Sequence, residues 1–332
     1  LVDDGDRENE GDLVIPGSKC NSKNINFMAK HGRGLICLAL TSKKVKKLNL
    51  PLMSSVNKSR TQTAFTISIE SKKGVTTGIS AYDRAKTIKV AINPNSNRNS
   101  IVSPGHVFPL VARDGGVLER AGHTEASVDI SKLAKLNPSA VICEVMNEDG
   151  TMARYKDLIL FAKKHRLKIA KIEDLISHRL RNEKLIKCIS NKKIKIKKFG
   201  SFDLKTFKNK LDGSEHYAIT KGKFTKNKAS RVRVISTNVL NSFFNFNKDI
   251  FKNSLKYLNK FNNFALILVK GTNLNPASSE NNKILRYYGI GAQIIKELKI
   301  KKMILVSRSI KRVIALDGYG IKIAKQEIMK WK

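Results

Sequence analysis

Short apolar runs alternate with amphipathic stretches along the first half of the chain, and this rhythm sets the expected elements. Residues 34–41 (Gly-Leu-Ile-Cys-Leu-Ala-Leu-Thr), 64–70, 107–112, 140–146 and 167–172 have the length and apolar content of strands. Helical spacing fills the intervals. Ser80 is expected to open a helix that runs to about Ile92, with Ser80 as N-cap and Asp83 at the capping-box position. Residues 124–136, 156–165 and 172–181 are expected to form three more helices, and Gly74, Gly78, Pro104-Gly105, Gly115-Gly116 and Gly150 mark turns. The pattern predicts an α+β, α/β-like domain, a mixed sheet with flanking helices.

Residues 182–198 are lysine-rich and lose the turn signals, so a linker is expected there, with domains over 1–181 and 199–332. The second, smaller α/β domain is expected to carry strands at 194–199, 216–221, 230–236 and 264–269. A long helix at 283–298, a strand at 303–306, a short helix after Ser309 and a last strand near 321–324 complete it. A chain of 332 residues accommodates two such domains. Leu1-Val2 reads as the tail of a strand, which predicts that an N-terminal segment is missing.

Charge separates the two halves. The first 180 residues carry a net +11 and the rest +26, within a total of +37. So basic a second half suits a polyanion. Heavy use of Lys over Arg, together with Asn and Ile, equally follows from AT-rich coding, so nucleic acid is the less favoured partner. The four cysteines, Cys20, Cys37, Cys143 and Cys188, form no Cys-x-x-Cys pair; neither a zinc site nor a disulfide framework is expected, and a reducing cytoplasm fits. No apolar run approaches the roughly 20 residues that span a bilayer, so no membrane partner is expected.

Against this basic background stands Asp3-Asp4-Gly5-Asp6-Arg7-Glu8-Asn9-Glu10-Gly11-Asp12, with six carboxylates. Their mutual repulsion and the two glycines disfavour a helix, so a loop held by positive charge is expected. A divalent cation such as Mg²⁺ or Mn²⁺, which takes hard oxygen ligands, is one candidate; a solvated acidic turn is the other. At Gly122-His123-Thr124-Glu125 a predicted helix begins, where N–H groups, the Thr124 hydroxyl and the Arg120 guanidinium can converge on a phosphate. His106 lies in a turn between Pro104 and Pro109. Glu144 sits in an apolar strand, where a carboxylate needs a cation, a proton or a cleft. The loop Gly74-Val75-Thr76-Thr77-Gly78 permits close approach of a ligand. Together these features describe a metal-dependent enzyme acting on a small phosphorylated compound.

Taken in order, Asp6-Arg7-Glu8-Asn9-Glu10-Gly11-Asp12, Gly32-Arg33-Gly34-Leu35-Ile36-Cys37, Gly74-Val75-Thr76-Thr77-Gly78, Pro104-Gly105-His106-Val107-Phe108-Pro109, Arg120-Ala121-Gly122-His123-Thr124-Glu125, and Cys143-Glu144 with Asn147-Glu148-Asp149-Gly150-Thr151-Met152 closely resemble the 3,4-dihydroxy-2-butanone 4-phosphate synthases of riboflavin biosynthesis. The resemblance implies conversion of D-ribulose 5-phosphate to L-3,4-dihydroxybutan-2-one 4-phosphate and formate with Mg²⁺ or Mn²⁺, two ions per site, in a homodimer. It assigns Glu8 and His123 as metal ligands and Arg7 and Asp12 as substrate contacts. Arg120, Ala121, Gly122 and Thr124 form the substrate-phosphate loop, and His106 and Glu144 are required for catalysis. Glu10, Asp12 and Glu144 all remain candidates for the first base. Cys37 falls near the substrate in that family and is equally well a small core residue.

The second half resembles a GTP cyclohydrolase II domain at Val232-Arg233-Val234, at Tyr288-Gly289-Ile290-Gly291-Ala292-Gln293-Ile294-Ile295-Lys296-Glu297-Leu298, and at Gly318-Tyr319-Gly320-Ile321. That enzyme's zinc is held by three cysteines, and no cysteine follows Cys188. The ligand region before Lys248 and the arginine- and glycine-rich catalytic loop, here 270–282, are also replaced. A degenerate domain without zinc or cyclohydrolase activity is expected, serving as a structural or dimer-stabilising appendage. Residual cyclohydrolase activity, or non-catalytic binding of a nucleotide or polyanion, are the alternatives.

Overall fold

The computed structural model describes residues 1–3, 8–58, 61–225, 228–237, 248–270, 280–309 and 320–329. It divides into two compact units that meet in the chain at Ile176 and Ser177. In the first unit, strands β1 (Asp12–Pro16), β2 (Cys37–Thr41), β3 (Ile69–Ser71), β4 (Ile101–Ala112) and β5 (Ser139–Glu144) form one sheet in the order β1-β5-β2-β4-β3. β2 and β4 are parallel and the other neighbours antiparallel, so the expected mixed sheet is present. Helices α1 (Ser22–Phe27), α2 (Ser42–Leu48), α3 (Ala81–Ile92), α4 (His123–Leu133), α5 (Tyr155–Lys164) and α6 (Ile172–Asn182) accompany it.

The sheet buries both faces. On one, Ile25, Val45, Ile88 and Ala91 from α1 to α3 pack on Leu38, Leu40, Val107, Val141 and Cys143. On the other, Ala39 and Ala112 meet Val128 of α4, and Cys37, Leu110 and Ile142 form a cluster with Val14, Phe65 and Phe108. Cys-Leu-Ala-Leu-Thr in β2 reads as an unbroken apolar run because both of its faces are covered.

Several local expectations change. Among the described residues, 167–172 make one bridge, Lys171 with Val2, before α6 begins, and Leu167 and Ile169 are exposed; with a single residue paired beside it, the run does not extend into a strand. Ser80 caps α3 by accepting the Asp83 N–H at 3.0 Å, but Asp83 does not complete the box. Its Oδ2 instead accepts from Thr76 N, Thr76 Oγ1 and Gly78 N, at 3.2, 2.8 and 3.1 Å, and so folds the 74–78 loop onto the helix.

The second unit contains β6 (Ile186–Ile196), β7 (Gly200–Asn209), β8 (Glu215–Lys221), β9 (Ser230–Thr237), α7 (Lys248–Leu258), β10 (Phe264–Lys270), α8 (Glu280–Glu297), β11 (Lys302–Ser307) and β12 (Lys322–Ile328), with the sheet order β12-β11-β9-β10-β8-β7-β6. The lysine-rich stretch expected as a linker is the edge strand β6, paired with β7 from Ile186 to Ile196. Only its end, Lys193-Ile194-Lys195-Ile196, has the period-two alternation of a strand with one wet face, and its edge lysines discourage pairing with another chain. The helix expected after Ser309 lies outside the described residues. Arg233 of the Val-Arg-Val motif is buried, donating from Nε to Ser254 Oγ at 2.7 Å and from Nη1 to Val306 O at 3.3 Å. Burial brings its guanidinium down to about 10. Gln293 ties α8 to the start of the unit by donating to Leu180 O and Glu183 O and accepting the Leu185 N–H.

Leu38 is fully buried at the centre of the first sheet. Leu38→Ala is expected to cost about 2–5 kcal/mol, read from denaturant unfolding, whereas the exposed Leu160→Ala should change stability by less than about 0.5 kcal/mol.

Candidate active site

The pairing of strands collects the chemistry at one end of the first sheet. Val14, Ile142, Cys37 and Phe108 form one row across it, through the pairs Val14 with Ile142, Cys37 with Ile142, and Cys37 with Phe108. Two residues nearer the sheet end, Asp12 pairs with Glu144, and His106 precedes Phe108 by the same two residues. Two strand spacings, roughly 10 Å of backbone, therefore separate Glu144 from His106.

The acidic loop leads into β1. Asp3 closes it, its carboxylate accepting Glu10 N–H at 2.9 Å and Glu8 N–H at 3.3 Å. Among the described residues, Arg154, at the N-cap of α5, is a cation that holds the end of this loop. Arg154 Nη1 donates to Glu8 O at 2.7 Å and Asn9 O at 2.9 Å, and lies 3.6 Å from Glu10 Oε1. Burial, followed by the charge of Glu8, raises the Glu10 carboxyl above its usual range despite Arg154.

The first residue of α4 meets this loop. His123 Nδ1 lies 3.9 Å from Glu8 Oε2 and 3.7 Å from Asp12 Oδ1. Ligand atoms of Asp3, Glu8 and His123 all lie within 4.8 Å of one another, a separation that one cation can bridge. Asp12 is buried, and burial, followed by the charge of Glu144, pushes its carboxyl well above the usual range. Glu144 is aimed by Leu35, whose N–H donates to Oε2 at 2.9 Å. A Cβ on Gly34 would lie 2.6 Å from both the backbone oxygen and Oε2 of Glu144, so only glycine lets β2 start so close.

No side chain caps α4, leaving its positive end to attract an anion. The preceding loop is built from two buried carboxylates of α4 that reach backwards. Glu125 accepts the Arg113 N–H at 3.1 Å and binds Arg120 Nη1 at 2.6 Å, while Asp129 accepts the Val117 N–H at 2.8 Å. Arg120 also donates from Nε and Nη2 to Thr61 O and from Nη2 to Thr63 Oγ1. Its guanidinium thus fixes the loop from within. Gly122 makes room, since a Cβ there would stand 2.2 Å from Arg120 Nη1. Ala121, Gly122 and Thr124 are buried alongside.

Among the sequence-derived candidates, then, Glu8, Asp12 and His123 converge, Glu144 lies opposite Asp12, and Glu10 lies beside Arg154. His106 stands farther along the sheet end against Glu70, while Arg7 lies outside the described residues. Asp3, Arg154, Glu125 and Glu70 were not singled out from sequence. Glu125 falls inside the Gly-His-Thr-Glu motif and could have been; Arg154 comes from a distant helix start and carries no local signal. Cys37 and Cys143 are core thiols that burial pushes upward, Cys143 to about 12.

The family profile described as 3,4-dihydroxy-2-butanone 4-phosphate synthase matches residues 1–178. A riboflavin biosynthesis protein RibBA of Aquifex aeolicus is 43% identical over 99% of this chain and 88% of its own length. The chain belongs to the 3,4-dihydroxy-2-butanone 4-phosphate synthase family. It is an enzyme of riboflavin biosynthesis carrying a synthase domain and a GTP cyclohydrolase II-like domain, whose profile matches 187–258 and 252–328. A synthase of Photobacterium phosphoreum is 42% identical over 98% of this chain and 93% of its own length. Among solved structures, the two-domain synthase RibBX of A. baumannii superposes with a TM-score of 0.85 at 39% identity, covering 99% of this chain and 95% of that one. A synthase in complex with two magnesium ions matches 55% of this chain and 89% of its own with a TM-score of 0.52 at 38% identity.

Because Gly34 abuts Glu144, Gly34→Ala must displace that carboxylate. Synthase activity is expected to fall by about a hundredfold with the fold retained by circular dichroism.

Proposed function

We propose that the first unit converts D-ribulose 5-phosphate to L-3,4-dihydroxybutan-2-one 4-phosphate and formate with Mg²⁺ or Mn²⁺, two ions per site. The observation that carries this reading is the convergence of Asp3, Glu8 and His123 beside the Asp12–Glu144 pair and the open end of α4. Carboxylate oxygens with one imidazole nitrogen suit these ions, and no thiolate is among them. Bound at Glu8 and His123 with Asp3 alongside, such an ion supplies Lewis-acid polarisation of the substrate's carbonyl and hydroxyl oxygens.

The other residues bind, orient and move protons. The α4 end, the Thr124 hydroxyl and the Ala121-Gly122 backbone receive the phosphate, on a loop that Arg120 and Glu125 hold in place. Arg7 and Asp12 contact the sugar. Enolisation requires a base at carbon, which falls to Glu10, Asp12 or Glu144. Burial, followed by the charge of Glu144 opposite, favours the protonated form of Asp12. His106 acts from the far side of the same sheet end.

The second unit is proposed to lack GTP cyclohydrolase II activity. Zinc activation of water in that chemistry uses thiolates, and this chain has none after Cys188. The segments 236–248 and 270–282, where that machinery is expected, lie largely outside the described residues. Relatives named as the synthase and relatives named RibBA both match nearly all of this chain, so a residual cyclohydrolase activity is the second reading. A cytoplasmic homodimer is the proposed form: the four thiols are unpaired, and Ile79, Tyr82 and Val102 are exposed. Light scattering should give twice the chain mass.

Purified protein with Mg²⁺ should release formate from ribulose 5-phosphate, chelator should stop it, and His123→Ala should abolish it; full activity in that variant would sink the reading. GTP should yield no formate with or without added Zn²⁺. GTP-dependent formate surviving in His123→Ala would instead show a working cyclohydrolase.

A further inference from the structure

His106 stands on an excursion of β4. Val107 pairs with Ile69 and Val102 with Glu70, so residues 103–106 are extra chain opposite a single step of β3. The excursion is pinned. Ser103 Oγ donates to Ser68 O at 2.6 Å and Gly105 N donates to Ser68 Oγ at 3.1 Å. A Cβ on Gly105 would lie 2.2 Å from the carbonyl carbon and oxygen of Ile69, so the turn closes only on glycine.

This geometry delivers His106 Nδ1 to Glu70, 3.2 Å from Oε2 and 3.4 Å from Oε1. The two side chains differ in exposure, 14% for Glu70 and 42% for His106, so the carboxylate is held on the protein side and the ring stands towards solvent. Gly78 completes the enclosure. A Cβ there would fall 1.8 Å from Glu70 Oε1, and its φ of +87° is one that side chains rarely adopt. The Asp83 carboxylate fixes this glycine through its N–H. Among the described residues no hydrogen bond is recorded to His106 Nε2.

We propose that Glu70 is a positioning residue for His106: its carboxylate accepts the Nδ1–H, selects that tautomer, and leaves the Nε2 lone pair to take a proton from substrate. The inference rests on the proposed synthase reaction, in which His106 acts. In the proton transfer, Nε2 gains the proton, the electron pair stays on the substrate, and the resulting imidazolium keeps its Nδ1–H on the Glu70 carboxylate, which balances its charge. The 74–78 loop thereby has a role distinct from the phosphate site, since Gly78 leaves the volume that the Glu70 carboxylate occupies.

Two measurements on the full chain test this. Ring-nitrogen chemical shifts of labelled histidine, assigned with His106→Gln and recorded where the ring is neutral, need no substrate. They should show the Nδ1–H tautomer in the wild type and the commoner Nε2–H tautomer in Glu70→Leu. In formate release, Glu70→Leu should lose about 10–100-fold in kcat with KM changed less than about threefold. Glu70→Gln, which keeps the shape and an acceptor but not the charge, should retain the tautomer and lose less. An Nε2–H tautomer in the wild type, or wild-type kcat in Glu70→Leu, overturns the proposal. If the wild type releases no formate, the synthase reading fails while the tautomer still decides the pair.

Discussion

Asp12 and Glu144 face each other across the β1–β5 pair, and like charges at opposed strand positions repel. Much of the first unit's chemistry is arranged around that constraint. Glu144 takes a backbone N–H from Leu35, Asp12 has the His123 imidazole 3.7 Å away, and Arg154 grips the loop that leads into β1. The Asp12 carboxyl stays raised all the same, by its burial first and by the charge of Glu144 second. A sheet built for stability alone would place an opposite charge in one of the two positions. Retaining both carboxylates concentrates negative charge where a cation can be taken up.

α4 is the second organiser. Its helix end faces the acidic loop through His123, while its buried Glu125 and Asp129 fasten the 113–122 segment behind it. Removing one partner of a buried ion pair such as Arg120–Glu125 is far more costly than the net contribution of the pair. The loop is thereby rigid before any ligand arrives, which lowers the ordering entropy that binding would otherwise cost.

How much of this was legible in the sequence depended on how local each signal is. The strands at 34–41 and 140–146 and the helices from Ser80 and near Thr124 are marked by apolar runs and caps within a few residues, and the structure has them with ends shifted by up to three residues. The end of β6 falls within the strand expected at 194–199, but the rest of it lies in the lysine-rich stretch expected as a linker, where isoleucines are too widely spaced to mark a strand; residues 167–172 are the opposite case, apolar but, among the described residues, bridged only to Val2. At the site, the acidic loop, the Gly122–Glu125 helix start and Glu144 stand out by their chemistry, whereas the choice of Glu8 and Asp12 within the loop and of His123 as a ligand rests on the family resemblance. Asp3 lies within the acidic stretch and accepts from backbone five and seven residues on, but Arg154 and Glu70 act on residues far away in the chain, so nothing adjacent to those two in sequence announces the contact.

The second unit separates fold from chemistry more sharply. Arg231 binds Glu327 through two hydrogen bonds of 2.9 Å and stacks on Phe261 with its guanidinium carbon 3.5 Å from the ring centre, joining β9, β12 and the end of α7. Phe207, Phe264 and Leu255 are fully buried. Aromatic burial, arginine pairing and a Gln293 clamp hold this sheet, and no thiolate contributes to any of them. The fold of the described part of this unit therefore rests on residues other than metal-binding thiolates. The charge agrees: a net +26 is tolerated by placing lysines on the wet faces of strands such as β6, where each is solvated and none must be buried.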